Sequence, residues 1–435
     1  MLEYILDKAK KAAEAAEVFL FTSEETPVEF EANKLKRIQS KQSQSMALRI
    51  ISNGRIGYSV SSHLDEIDDL IDASLETAEF GIPAKFTFPA TDSYPEVKTY
   101  DKETESVSLE RMVSLGEEML ATVKKYNKDI VCEASVLKNF VSIQIINTSG
   151  KSAGYSKSIF SLGIEGSLIR GTDMLFVAEN INSCRPMDST QKITDTIIRQ
   201  LEWAEEQAAI SSKKLPVIFT PSGVASALIN PLMVAFNGKT VLECASPIGN
   251  LLGKQVFDSK FNLHDDAIID YQPSSHPFDD EGVVSRCISL IEAGIPINFM
   301  YDLQTAALAG KDSTGNGRRQ GGGLPSPSPN AFVVTSGDVL FDDMLADLKE
   351  GLVIEYLMGA NQGNILGGDF SGNVLLGYKV ENGKIKGRIK DTMVSGNVYQ
   401  LLKEITAIGN DSKWVGGIIK TPSLYFPNIS VSLTI

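Results

Sequence analysis

The sequence predicts an α+β protein, with an N-terminal antiparallel sheet carrying long helices and a C-terminal, strongly coiled, barrel-like β-rich region with short helices. Three observations support this. Apolar residues recur at helical spacing in several segments of the first half. Asn53-Gly54 and Asn382-Gly383 each separate two strand-like runs, a pattern typical of tight hairpins. Short strand-like runs joined by frequent turns fill the second half, as in coiled sheets and barrels.

The first half, residues 1–213, contains long elements of both types. Apolar residues at a helical period predict four helices: Leu2 to Ala16, Leu64 to Phe80, Ser108 to Tyr126 and Thr190 to Ala209. Strand-like runs lie at Val18 to Thr22, Thr26 to Phe30, Ser45 to Ser52, Arg55 to Ser61 and within Asp129 to Val177. A Pro- and Thr-rich connector suggests a subdivision near 81–107. The polar run at 211–214 is the predicted domain boundary.

The second half, residues 214–435, is predicted to form one β-rich domain. Strand-like runs lie at Pro216 to Thr220, Val283 to Glu292, Ala331 to Thr335, Gly351 to Tyr356 and Gly372 to Lys379. A hairpin is predicted to join Val374 to Val380 and Ile385 to Ile389. Short helices are predicted at Gly223 to Phe236, Leu303 to Leu308, Leu340 to Leu348 and Asn397 to Ile408. Pro231 is expected to kink or restart the first of these helices.

Composition argues against several classes of protein. The net charge of −14 disfavours nucleic acid as a partner, and the short basic runs at 34–37 and 384–390 suit solvated strand faces. We expect no signal peptide, no membrane span and a cytoplasmic location. The four cysteines form no CxxC pair and are expected to be reduced and mostly buried. Cys287, within an apolar run, is expected in the core.

A search for catalytic residues finds no complete set. The chain has three histidines and no HExxH, HxxEH or GxSxG motif. The richest cluster joins His264-Asp265-Asp266 to His276 and the acidic residues at 279–281. Carboxylates at this density suit a hard cation such as Mg²⁺, but they equally suit a polar loop that caps neighbouring strands.

The most unusual stretch is the glycine-rich segment 314–323, which contains Asn316, Gly317, Arg318 and Arg319. It matches neither a Walker A loop nor a dinucleotide fingerprint. Exposed backbone N–H groups beside two arginines suit a carboxylate or a peptide terminus. These four residues are therefore the candidate peptide contacts. The alternative is a flexible surface loop.

Several landmarks follow one another in a characteristic order. They are Leu215-Pro216-Val217-Ile218-Phe219, Gly253-Lys254-Gln255-Val256, Phe278-Asp279-Asp280-Glu281-Gly282, Thr314-Gly315-Asn316-Gly317-Arg318-Arg319 and Gly409-Asn410-Asp411. In this order they resemble the TldD/PmbA family, once called modulators of DNA gyrase, over essentially the whole chain. The resemblance implies a cytoplasmic two-subunit peptidase. Its TldD subunit carries zinc on a His-Glu-x-x-x-His helix and a cysteine near the C-terminus, whereas its PmbA or TldE subunit lacks these ligands.

This chain departs from the zinc-binding pattern at every ligand. The motif positions correspond to Ile229, Asn230 and Val234, and Thr220 to Gly253 contains no histidine. The segment after Asp411 reads Ser412-Lys413-Trp414 and has no cysteine. Isoleucine and valine cannot bind zinc or transfer a proton. The chain thus resembles the PmbA/TldE type, with no catalytic residue and no metal of its own at these positions.

The leading hypothesis is a non-catalytic partner of a TldD-type subunit, which would hold the zinc, in peptide processing. The isolated chain is expected to form a homodimer. A second hypothesis is a stand-alone homodimeric peptide-binding protein. A third is an active metallopeptidase that uses the His264/His276 cluster.

Overall fold

A computed structural model of the chain describes residues 1–90, 93–171, 173–320 and 323–433. Within these residues the fold is α+β, with eleven helices and strands grouped into a half-barrel sheet, a closed barrel and two smaller sheets. The predicted fold class is confirmed. None of the described helices combines the length and apolar character needed to cross a membrane.

The N-terminal half forms one antiparallel sheet with helices. The helices are α1 (Leu2–Ala12), α2 (Ile67–Glu79), α3 (Lys102–Ser106), α4 (Leu109–Tyr126) and α5 (Gln191–Trp203). The strands are β1 (Ala15–Glu31), β2 (Lys34–Ile38), β3 (Lys41–Ser52), β4 (Arg55–Ser61), β5 (Val131–Asn147), β6 (Ser152–Arg170) and β7 (Asp173–Ser183). Their order is β4-β3-β1-β5-β6-β7, and β2 pairs with β1. We call this the N-terminal sheet.

The C-terminal half has shorter elements. Its helices are α6 (Pro221–Ala227), α7 (Ile229–Ala235), α8 (Gly238–Leu242), α9 (Leu303–Leu308), α10 (Phe341–Asp347) and α11 (Val398–Leu401). Its strands are β8 (Lys213–Phe219), β9 (Leu263–Asp266), β10 (Cys287–Glu292), β11 (Ile295–Pro296), β12 (Gly317–Arg318), β13 (Ser326–Pro327), β14 (Phe332–Val334), β15 (Glu350–Met358), β16 (Asp369–Glu381), β17 (Lys384–Arg388), β18 (Thr392–Asn397), β19 (Ala407–Ile408), β20 (Lys413–Val415), β21 (Ile419–Thr421) and β22 (Leu424–Leu433).

Five strands of this half close into a barrel in the order β15-β8-β22-β18-β16, because β16 also pairs with β15. A second sheet has the order β11-β10-β9-β14-β21-β20, and we call it the small sheet. Apolar side chains from the barrel, α6, α7 and the small sheet share one core that includes Phe219, Leu232 and Phe332. The barrel and the small sheet therefore pack as one body.

A second core crosses the predicted boundary at residues 213 and 214. It joins Phe160 and Leu162 of β6 to Val353 and Tyr378 of the barrel. The boundary coincides with the first residues of β8. The division into domains at this point remains a prediction, since the two halves share buried apolar contacts.

Several predicted elements differ from the observed ones. The two runs at 18–22 and 26–30 form the single long strand β1, which is paired along its length with β5. The predicted helix at 223–236 is broken at Leu228, and Pro231 lies in the first turn of α7, where its missing N–H costs little. The predicted helix at 397–408 covers only Val398–Leu401, because the chain then turns into β19.

Candidate functional site

The helix to which the resemblance assigns zinc ligands in the TldD type is an internal packing element in this chain. Thr220 caps the start of α6 by accepting a hydrogen bond from the Gly223 N–H, and α7 follows directly. Ile229 is 1% exposed within the core shared by the barrel and the small sheet. Asn230 and Val234 are half-buried. A zinc ion does not fit an aliphatic core position, which offers no electron pair to a metal.

The segment after Asp411, where the resemblance places a further zinc ligand, is held by hydrogen bonds and ion pairs. Both carboxylate oxygens of Asp411 accept hydrogen bonds from Ser423, at 2.9 Å from the backbone N–H and 2.6 Å from the hydroxyl. Lys413 forms an ion pair with the buried Glu179. This region therefore links the small sheet to β7 and supplies no thiol.

In the glycine-rich segment 314–323, residues 315–317 are buried and Gln320 is exposed. Asn316 is fully buried, and its amide donates to Asp265 Oδ2 at 2.7 Å and to the Ser328 carbonyl at 3.0 Å. The Gly317 N–H donates to Asp279 Oδ2 at 2.8 Å, and a Cβ there would lie 2.4 Å from Glu281 Oε2. Both donors are thus satisfied within the protein. Gly321 and Gly322 of this segment lie outside the described residues.

Arg319 belongs to a buried ion network that joins the two halves of the chain. Its guanidinium pairs with Glu17 of β1. Arg49 of β3 contacts the same Glu17 carboxylate at 3.0 Å and Glu281 at 2.6 Å. Burial raises the pKa of Glu17, against the two facing arginines. Burial lowers the pKa of Arg49, but Glu17 and Glu281 outweigh it and the net shift is upward. Arg319 is therefore committed to this network.

Arg318 lines a cavity, and one of its guanidinium nitrogens makes no hydrogen bond. It is the one predicted contact residue, among those that the structure describes, that combines these two features. The cavity has a volume of about 500 Å³ and lies between β5, β6 and β7 and the loops at 273–274, 318–320, 328–330 and 416–418. Arg318 Nη1 lies 3.7 Å from Asp280 Oδ1 and makes no hydrogen bond there. The other predicted contact on this cavity, Arg319, is already paired.

Three further polar side chains lie near Arg318. The buried hydroxyl of Ser274 has no hydrogen-bond partner in the described parts of the chain, whereas the Tyr155 hydroxyl lies beside Arg318, whose charge opposes the rise in the tyrosine pKa that burial causes. Lys157 is buried and donates to the Pro273 carbonyl at 2.5 Å. Burial, followed by the nearby Arg318, lowers the pKa of Lys157 to about 8. Buried polar atoms are normally satisfied, so this group is suited to an anionic or strongly accepting ligand.

The predicted cluster of histidines and carboxylates is divided between the two faces of β9. His276 is buried, with Nδ1 at 2.7 Å from Ser285 Oγ and Nε2 at 2.8 Å from Asn330 Oδ1. Burial, reinforced by Arg318 and Lys157, lowers its pKa well below the ordinary value. Asp265 accepts hydrogen bonds from Asn330 and so faces the same side as His276. Since strand side chains alternate, His264 and Asp266 project from the opposite face.

The carboxylates at 279–281 are likewise engaged. Asp279 Oδ1 accepts from the N–H groups of Glu281 and Val283, which makes it a turn-forming residue. Asp280 Oδ2 accepts from the Arg319 N–H at 2.8 Å. The structure thus supports the interpretation that this acidic run caps neighbouring strands, and it separates His264 from His276.

The prediction that the cysteines are mostly buried was wrong for two of the four. Cys132 and Cys184 are buried, but Cys244 and Cys287 are exposed.

Sequence reasoning missed Lys157, Tyr155 and the Glu17–Arg49 pair. Glu17 and Arg49 each interrupt an apolar run, at 15–21 and 46–51, and a charge within such a run signals a buried partner. The run that contains Tyr155 and Lys157 carries no such signal. Serine and glycine residues stand between its larger side chains, so the sequence does not indicate which face of the strand is buried.

Comparison with known proteins extends over the whole chain. The family model of the PmbA/TldA metallopeptidase C-terminal domain matches residues 212–433, and that of domain 1 matches residues 16–78. An uncharacterised protein of Methanocaldococcus jannaschii is 27% identical over 434 residues, with 98% of each chain covered. The metalloprotease PmbA homolog of Haemophilus influenzae is 22% identical over 447 residues, which cover 99% of this chain and 95% of that protein.

Two solved structures share the fold. TldE from Thermococcus kodakarensis matches with a TM-score of 0.90 and 20% identity, over 99% of both chains. A Thermotoga maritima protein described as a modulator of a DNA gyrase matches with a TM-score of 0.89 and 22% identity, over 99% of this chain and 100% of the other. With both domain models and the full-length fold in agreement, the chain belongs to the PmbA/TldD metallopeptidase family.

Proposed function

We propose that this chain is the non-catalytic partner subunit, without a metal at the motif positions of α7, of a TldD-type metallopeptidase that processes peptides. The observation that carries the proposal is the buried aliphatic side chain of Ile229 on α7, with Asn230 and Val234 at the other motif positions. Catalytic zinc needs three protein ligands and a group that activates water, and these positions provide neither. Zinc would belong to the partner, and this chain would complete the complex.

Co-purification with a TldD-type subunit from the same organism tests the pairing. We expect an affinity-tagged copy of this chain to retain the TldD-type subunit through size-exclusion chromatography, in a peak larger than that of either chain alone. Two separate peaks at micromolar concentration of both chains would contradict the proposal and favour the stand-alone homodimeric binding protein. A tagged, unrelated α+β protein is the control for nonspecific retention.

We further propose that the cavity at Arg318 binds the carboxylate of a peptide within the complex. The supporting features are Arg318 Nη1 and the Ser274 hydroxyl, which belong to residues that line the cavity and make no hydrogen bond among the described residues, and the nearby buried amine of Lys157. Arginine binds carboxylates through parallel N–H donors, and a buried site strengthens the contact. Asn316, Gly317 and Arg319 would hold the loop that presents Arg318.

Binding of a labelled hexa-alanine peptide to the full chain, with a free C-terminal carboxylate or as its amide, tests this contact. We expect the free acid to bind about tenfold more tightly, which is about 1.4 kcal/mol. Arg318→Gln should remove the difference, and the exposed Arg37→Gln should keep it. Equal affinity of the acid and the amide for the wild-type chain would refute the contact and leave the pairing proposal untouched.

A further inference from the structure

Three side chains with metal-binding atoms meet on the outer face of the small sheet. His264 and Asp266 are two residues apart on β9 and so project from one face. Cys287 of β10 lies directly opposite Asp266 in the antiparallel register. A ring nitrogen of His264, a carboxylate oxygen of Asp266 and Sγ of Cys287 all lie within 4.8 Å of one another. This arrangement comes from strand pairing, and no sequence motif encodes it.

We propose that His264, Asp266 and Cys287 bind a zinc ion. Imidazole, carboxylate and thiolate are all zinc ligands, with bonds of about 2.0 to 2.3 Å, and tetrahedral zinc would hold them about 3.5 Å apart. Atoms that lie within 4.8 Å of one another would therefore close by up to about 1.3 Å on binding, which rotation of three partly exposed side chains can supply. A thiolate with an imidazole selects zinc over Mg²⁺ or Ca²⁺, which prefer oxygen ligands.

The surroundings of the three ligands favour a cation on balance. Asp265 lies directly below this face, and its carboxylate, like that of Asp266, acts on Cys287. Lys420 of β21 is a positive charge that opposes cation binding. It lies near His264, and it lowers the pKa of that imidazole in addition to the larger effect of burial. The Asp266 carboxylate and the Cys287 thiolate, against one lysine, leave the site attractive to a divalent ion. Three protein ligands leave the fourth position open to water or to a group from another molecule.

Zinc is bound by the thiolate form of cysteine, so binding at this site releases the thiol proton of Cys287 to the solvent.

Thiol protection in the full chain tests the site, with Cys244 as an internal control. Cys244 is the other exposed cysteine, and Cys132 and Cys184 are buried. After removal of metal by a chelator, we expect maleimide to label both exposed cysteines. Addition of one equivalent of zinc should slow labelling of Cys287 by at least about tenfold and leave Cys244 unchanged, as followed by peptide mass spectrometry. Equal rates at Cys287 with and without zinc would overturn the proposal.

Two variants with matched controls separate binding from loss of folding. His264→Ala and Cys287→Ser should each weaken zinc affinity by at least about tenfold in competition with a chromophoric chelator. Cys244→Ser and the exposed His63→Ala should leave the affinity unchanged. Circular dichroism checks that each variant is folded, and Cys287→Ser changes one atom only. Tight zinc binding that persists in both site variants would also overturn the proposal, because the ion would then lie elsewhere.

Discussion

At the scale of single residues, the charges that matter most are buried between the two halves of the chain. Arg49 lies between Glu17 and Glu281 with 3% of its side chain exposed, and the rings of Phe86 and Phe88 stack on its guanidinium at 4.8 and 5.1 Å. Glu281 also accepts from the Leu303 N–H at 2.7 Å. Removal of one charge leaves the others without compensation in a site that excludes water.

We expect Arg49→Ala to lower the free energy of unfolding by about 3–5 kcal/mol, because two buried carboxylates lose a partner. The matched control is Arg37→Ala on β2, whose ion pair with Glu29 is exposed; its arginine side chain is 55% exposed, and the loss should stay below about 1 kcal/mol. Urea unfolding of both variants measures the difference. Similar losses for the two arginines would show that the network adds little to stability.

Asp265 gives the buried cluster a defined pH dependence. Burial, opposed by hydrogen bonds from Asn316 and Asn330, raises its pKa to about 7, whereas the unfolded chain has the ordinary value near 4. The folded state then holds an extra proton between these two values. The stability from this group is fully present below about pH 4 and is lost as the pH rises through 7.

Comparison of the wild-type chain with Asp265→Asn isolates this effect, since other titrations cancel. We expect the stability advantage of the wild type over the variant to decrease between about pH 4 and pH 7. Urea midpoints at four pH values suffice. An advantage that grows over this range would show that Asp265 is held as a carboxylate by its amide partners.

The sequence alone could indicate which residues were unusual but not what each one contacts. Arg318 and Arg319 are adjacent in sequence and line the same cavity, yet Arg318 Nη1 makes no hydrogen bond among the described residues, whereas Arg319 pairs with Glu17, 302 positions away. His264 and His276 looked like one cluster, but alternation along β9 places them on opposite sides. Long-range pairing decides these cases, and local residue patterns do not contain it.

At the scale of elements, turn chemistry was predicted well where the residues require a left-handed backbone. Asn53-Gly54 and Asn382-Gly383 join β3 to β4 and β16 to β17, and all four residues have positive φ. The β1–β2 turn uses Ala32 and Asn33, also with positive φ, and was missed because alanine rarely takes that conformation. Element boundaries in the second half were harder, since short strands there are defined by partners far along the chain.

Helix α7 packs in the core of the second half but lacks the zinc ligands that the resemblance places on it. If it serves packing, as we propose, Ile229→Ala should cost about 2–5 kcal/mol of stability, because it leaves a cavity in the core. Val234→Ala on the same helix is half-buried and should cost less than about 1.5 kcal/mol. Thermal unfolding of the two variants checks the ranking. A larger loss at Val234 would contradict the assigned orientation of the helix.

At the scale of the whole molecule, the two halves are joined by a shared apolar core and by the network of Glu17, Arg49, Glu281 and Arg319. These contacts fix the N-terminal sheet against the loops of the second half and define the Arg318 cavity between them. The sequence resemblance implied the family and the missing zinc ligands. The cavity, and the donors there that make no hydrogen bond among the described residues, could be identified only from the three-dimensional structure.

The central claim is that this chain has no peptidase activity of its own, and cleavage of an unfolded protein substrate tests it most directly. The chain should be assayed alone, with a TldD-type subunit, and with that subunit after chelation, and His264→Ala should be included to remove the proposed zinc site. We expect cleavage only in the mixture, and this cleavage should be sensitive to the chelator and unchanged by His264→Ala. Cleavage by the purified chain alone, at a rate comparable with the mixture, would contradict it.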